Sequence, residues 1–174
     1  MTDQSTNSLY KLIKELTSSS ESYYIEQKSI ASIEEVDGHT VYSHYKRYNA
    51  PISDELINQH INAEINLAIS IKDKPIIVFE YSGKNVYAFG VLLYKLAMQE
   101  GIKKVEILDY SVDKIVVMLE PIEKNLEEIE KLSKKISNKI EERLPLSWKI
   151  FPNNLRPDNG NLLQLPKEYI ALPW

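Results

Sequence analysis

Pro75-Ile76-Ile77-Val78-Phe79-Glu80-Tyr81-Ser82 is the stretch whose reading decides the fold. Ile76 to Phe79 are apolar without a break, so a strand here must be covered on both faces, as a buried central strand is. Ser82-Gly83-Lys84-Asn85 then opens a helix that continues to Gln99 or Glu100, and Gly101 fits its C-terminal stop. That helix is apolar around most of its circumference, which implies burial against the sheet. Lys103–Leu108 and Lys114–Leu119 make a hairpin around Asp109-Tyr110-Ser111-Val112-Asp113.

Downstream, Pro121 begins a long helix, since proline is tolerated in a first turn. Ile122, Leu126, Ile129, Leu132, Ile136, Ile140 and Leu144 form its apolar stripe, and Pro145 ends it. On the other face Glu127 precedes Lys131 by four residues and Glu130 precedes Lys134, a pattern of solvated ion pairs and not of a nucleic-acid stripe. The remainder is loop-rich, with a strand at Asn161–Leu165. Its apolar tail, Tyr169-Ile170-Ala171-Leu172-Pro173-Trp174, is expected to pack on its own domain, with a partner anchor as the alternative.

Upstream, Leu9, Leu12, Ile13 and Leu16 mark one face of a short helix over about 9–16. Two strand-forming stretches, about Tyr24–Ile33 and Thr40–Tyr45, flank the turn signal Asp37-Gly38. Ser53 caps a helix that runs to about Ile61, with Asp54 and Glu55 at its positive end. Ile65–Ile71 and Pro75–Tyr81 read as two strands around the polar turn Lys72-Asp73-Lys74. The order is hairpin, helix, hairpin, helix, hairpin, helix, strand. It predicts an α+β fold with a mostly antiparallel central sheet and flanking helices. Residues 1–22 read as a tail with a short helix and 23–174 as a single domain.

Composition narrows the function classes. The 174 residues are 43% apolar and 26% charged, ordinary globular values. No cysteine is present, which excludes disulfides and thiolate metal sites, and His39, His44 and His60 are the only histidines. The N-terminus lacks a secretory pattern and no apolar run is long enough to span a bilayer, so the expected location is the cytoplasm, with no membrane partner. A net charge of −4 gives no global attraction to nucleic acid, and any such binding needs a local basic patch.

Three landmarks between Tyr48 and Pro166, about two-thirds of the chain, resemble the archaeo-eukaryotic primase superfamily, and most closely its primase-polymerase branch of plasmids, viruses and TOTE conflict systems. The first is Tyr48-Asn49-Ala50-Pro51 with the capped helix and His60-Ile61-Asn62-Ala63-Glu64, where that branch has His-Leu-x-Gly-Glu. The second is Ile76–Phe79 running into Glu80-Tyr81-Ser82, with the helix and hairpin that follow. The third is Ile150-Phe151-Pro152 and then Gly160-Asn161-Leu162-Leu163-Gln164-Leu165-Pro166. The resemblance implies a primase-polymerase-like catalytic-core fold.

It also implies chemistry from which this sequence departs. In active relatives the central strand ends in Asp-x-Asp, whose carboxylates hold the divalent cations that neutralise charge in phosphoryl transfer. Glu80-Tyr81-Ser82 retains one acid, lengthened, and replaces the other with a hydroxyl. The family's nucleotide-contacting histidine is missing from Tyr110–Val116, and no third acid stands at Trp148-Lys149-Ile150. The resemblance therefore implies a non-catalytic, primase-like accessory or nucleic-acid-associated factor in DNA replication or a mobile element. Its partners would be single-stranded nucleic acid or a replication protein, with no cofactor assigned. Two alternatives stand beside it. One is a divergent primase-polymerase or nucleotidyltransferase with Mg²⁺ or Mn²⁺ on Glu80, Asp109 and Asp113, and Ser82 beside them. The other is a plain protein-interaction domain.

Bland readings weigh against each site. Glu80 reads first as a solvated acid at a strand end, and Ser82-Gly83-Lys84-Asn85 as an N-cap before a phosphate cradle. His60 reads as a capping or packing residue. Tyr45, Lys46, Arg47 and Tyr48, with His44, combine aromatic and basic groups as single-strand binders do, although an ordinary exposed strand is the simpler explanation.

Overall fold

The structure, a computed structural model, describes residues 3–36, 38–102, 104–122, 125–144, 147–153, 156 and 158–171. Its elements are α1 (Asp3–Thr17), β1 (Tyr23–Glu26), β2 (Ser32–Val36), β3 (His39–Ser43), β4 (Tyr45–Tyr48), α2 (Asp54–Ile61), β5 (Leu67–Ser70), β6 (Ile77–Ser82), α3 (Val86–Gln99), β7 (Lys104–Tyr110), β8 (Lys114–Glu120), α4 (Leu126–Glu141), β9 (Trp148–Phe151), a 3-10 turn (Asp158–Asn161) and β10 (Leu162–Gln164). The fold is α+β, and every paired strand runs antiparallel to its neighbour. Two compact units share the chain: residues 1–72 with 153–169, and 73–152 with 170–174.

In the second unit the strand order is β7-β8-β6-β9. With α3 between β6 and β7 and α4 between β8 and β9, this is the βαββαβ arrangement of a ferredoxin-like plait. Alternation along β6 sends Ile77, Phe79 and Tyr81 into one core with Phe89 and Leu93 of α3 and Ile136 and Ile140 of α4. Val78 of β6 and Met118 of β8, on the opposite face, are each 1% exposed. The unbroken apolar run thus marks a central strand buried on both sides, as expected. α3 ends as foreseen: Gly101 adopts φ 77°, its N–H donates to the Met98 carbonyl, and the Ile102 N–H donates to that of Ala97. Ile170 bridges to Ile107, so this part of the tail folds back on its own unit, while Leu172, Pro173 and Trp174 lie outside the described residues.

In the first unit the order is β10-β5-β1-β4, and β2 pairs with β3 as a separate hairpin. The stripe Leu9, Leu12, Ile13 and Leu16 is buried on α1, and Lys14 reaches Asp54 of α2 at 2.6 Å. Ser53 caps α2 by accepting the Leu56 N–H at 3.3 Å.

Four readings need correction. Ile65–Ile71 and Pro75–Tyr81 are not a hairpin: β5 pairs with β1 and β10, and β6 with β8 and β9. Both strands are apolar on both faces, so each requires two neighbours within its own sheet, and a local turn says nothing about which. The stretches Tyr24–Ile33 and Thr40–Tyr45 each break, giving β1 with β2 and β3 with β4. The break falls near His44, where the Gln27 N–H donates to the His44 carbonyl and the Ala31 N–H to that of Ser43. α1 begins at Asp3, earlier than its buried stripe, because a packed helix propagates into its polar first turns. α4 begins at Leu126, because the Asn125 side chain accepts the N–H groups of Glu127 and Glu128 and caps it there. Ile122 is consequently 70% exposed and outside the stripe. The turn residue Asp37 and the expected stop Pro145 lie outside the described residues.

Candidate functional site

The residues to which the resemblance points gather at one end of the second unit's sheet. Register places Asp109 of β7 opposite Val116 of β8, Val116 opposite Glu80 of β6, and Glu80 opposite Lys149 of β9. Directly opposed residues of antiparallel strands share a face, so these four form one row across the sheet. Ser82 follows two residues beyond Glu80 on the same face, opposite Lys114.

Each acid in this group already has a partner. Lys149 donates to Glu80 Oε1 at 2.7 Å. Lys114 meets Asp109 Oδ2 at 2.9 Å, and the Ser111 hydroxyl donates to Asp113 Oδ1 at 3.0 Å. β6 and β7 lie two ladder steps apart, roughly 10 Å, with Val116 between Glu80 and Asp109. Among the described residues no three of His, Asp or Glu are grouped so as to hold a metal ion. In sequence, Trp148–Ile150 stands out only for the acid it lacks. The partner that sequence alone does not reveal is Lys149, legible as a cation on a strand but not as the neighbour of Glu80.

The loop before α3 is occupied by its own protein. Gly83 donates its N–H to the Asp113 carbonyl at 2.7 Å, and the Asn85 N–H donates to the Tyr81 hydroxyl at 3.3 Å. Two amides that a phosphate cradle would use are therefore engaged, and the Asn85 side chain makes no capping bond. Gly83 adopts φ 155°, and a Cβ there would collide with the Tyr81 hydroxyl. The glycine serves the approach of Tyr81, whose ring stacks on Phe89 at 4.8 Å.

His60 is fully buried. Its Nδ1 accepts the Leu67 N–H at 3.2 Å, which assigns the ring proton to Nε2, facing the carbonyls of Leu165 at 3.1 Å and Pro166 at 3.2 Å. Burial holds its pKa below the ordinary histidine value. Asn161, equally buried, accepts the Asn153 N–H at 2.6 Å and donates to the Asn153 and Arg156 carbonyls. Both residues tie β10 and its loop into the first unit.

Tyr45, Lys46, Arg47 and Tyr48 form β4, the edge strand of the first unit's sheet. Alternation divides the cluster: Lys46 and Tyr48 lie on one face, Tyr45 and Arg47 on the other. Burial and the nearby Glu26 push the Tyr45 phenol up to about 12. Opposite Tyr48 stands Tyr23 of β1, and the two rings stack 5.2 Å apart at 8°. The Lys46 ammonium lies 5.4 Å from the centre of the Tyr48 ring. Tyr23 was missed from sequence, although β1 also reads as a strand and its register with β4 is what brings the rings together.

Residues 6–78 match a family described as a domain of unknown function (DUF1882). The match runs from α1 through β5 to the start of β6 and includes the tyrosine pair. No curated protein matches the chain. Among the described residues no helix is long and apolar enough to cross a membrane.

Proposed function

We propose that this protein is a primase-like α+β module that does not polymerise nucleotides and acts as an accessory or nucleic-acid-associated factor in DNA replication or a mobile element. The observation that carries the reading is the ion pair between Glu80 and Lys149. On the strand where the resemblance implies a third metal-ligating acid, a cation sits 2.7 Å from the one acid that remains on the central strand. A divalent cation at Glu80 would have to displace Lys149 and then lie beside its positive charge.

Two features support the likeness itself. One is a central antiparallel sheet flanked by α3 and α4. The other is Ala63, which adopts φ 61° where the primase-polymerase branch has glycine. Only glycine takes that conformation without steric cost, so the backbone asks for the residue that the resemblance supplies.

The test is template-directed primer synthesis and extension with Mg²⁺ or Mn²⁺, together with calorimetry of each cation. The expected outcome is no product and no metal binding, in wild type and in Glu80→Ala alike. Robust synthesis that Glu80→Ala abolishes would overturn the reading in favour of a divergent polymerase built on Glu80, Asp109 and Asp113.

A further inference from the structure

We propose that the paired rings of Tyr23 and Tyr48, with Lys46 and Arg47 along the same edge, form a platform on which single-stranded nucleic acid binds by base stacking. The proposal deepens the nucleic-acid association proposed above and rests on it.

The rings lie nearly parallel, 5.2 Å between centres and 8° between planes, and both are only half-buried. A tyrosine pair stabilises a sheet edge by itself, but burying such rings in a core would do so more effectively. Here the pair stops at the sheet margin, while Leu67 and Ile69 on the adjoining strand β5 are fully buried. A base has a π-face of the same kind and extends such a stack whatever its sequence.

Charge favours the same ligand. Lys46 and Arg47 are exposed and, among the described residues, neither is held in an ion pair, whereas all four lysines of the second unit's long helix are. From His44 to Ser53 the sequence contains no acid, although the chain as a whole carries −4. Glu26, on β1, points to the Tyr45 face and accepts from the Asn66 amide. Among the described residues no strand pairs with the outer edge of β4, so a phosphate backbone following it meets Lys46 from one face and Arg47 from the other. Lys46 lies over the Tyr48 ring, and a base stacking there takes its place while the ammonium turns to the neighbouring phosphate.

The test uses fluorescence anisotropy of a labelled oligothymidine at several salt concentrations, on the full chain. Wild type is expected to bind. Tyr23→Ala and Tyr48→Ala should each weaken binding by at least about fivefold, the loss of one base–aromatic stack, while Tyr48→Phe keeps the ring and the affinity. Lys46→Gln with Arg47→Gln should flatten the dependence of log K on log salt by about 1.4, as two lost phosphate contacts on a single strand do. Binding that survives both alanine changes and both glutamine changes would overturn the platform while leaving nucleic-acid association standing elsewhere on the protein. A loss in Tyr48→Phe equal to that in Tyr48→Ala would assign the effect to the hydroxyl and likewise overturn stacking. Absence of wild-type binding at low salt would overturn the platform and the nucleic-acid association proposed above together. Near-ultraviolet circular dichroism checks that the alanine variants fold, and the phenylalanine and glutamine variants decide the matter if they do not.

Discussion

His60 and Ala63 stand three residues apart and behave in opposite ways. His60 is buried, and both ring nitrogens are engaged by backbone groups, Nδ1 by Leu67 and Nε2 by Leu165 and Pro166. Burial disfavours the charged form most, and the Lys167 cation adds to that. The folded pKa is therefore depressed below the unfolded value of about 6.5. Stability from this group is complete above that value and is lost as pH falls through it toward the folded pKa, because the unfolded chain takes up the proton first. Urea unfolding at pH 7.5 and 5.5 should show wild type weakening with acid. His60→Ala should cost about 2–4 kcal/mol at the higher pH and lose most of that slope. Ala63, by contrast, is strained where it stands. Ala63→Gly should stabilise the fold by about 1 kcal/mol, the left-handed penalty less the extra entropy of glycine in the unfolded chain, read as a rise in the urea midpoint with unchanged slope.

At the scale of elements, α2 and α3 end in the same way with different residues. After α2 the Glu64 N–H reaches the Gln59 carbonyl and the Ala63 N–H that of His60. After α3, Ile102 and Gly101 repeat the pattern. The end of α3 carries a second device. Glu100 is its C-cap, a position where the negative end of the helix dipole disfavours a carboxylate. Lys135 at 2.7 Å and Lys139 at 2.6 Å, both on α4, offset that and hold the Glu100 carboxyl below the usual range. The pair of lysines fastens α3 to α4. Glu100→Gln should cost about 1 kcal/mol at neutral pH, in the range for a partly screened network. A depressed carboxylate contributes above its unfolded pKa of about 4.3 and loses that contribution as pH falls. Thermal melts of the two proteins should therefore converge toward pH 3.

Across the whole molecule, local signals and long-range pairings separate cleanly. The stop at Gly101, the cap at Ser53, the buried face of α1 and the doubly buried strand at Ile76–Phe79 were all legible, because propensity, capping and periodicity act within a few residues. The α+β class and its antiparallel sheets followed from the order of those elements. What the order could not say is which strands meet. β5 and β6, neighbours in sequence, belong to different sheets, and β6 is flanked by β8 and β9. Pairing is chosen by burial of both faces over the entire sheet, a sum in which a three-residue turn has little weight. The candidate sites show the same division. The types of Glu80, Asp109, Lys46 and Tyr48 could be read directly, together with the chemistry each permits. Only tertiary structure set Lys149 against Glu80 and Tyr23 against Tyr48, because a strand register joins residues 69 and 25 positions apart, and no local rule spans that distance.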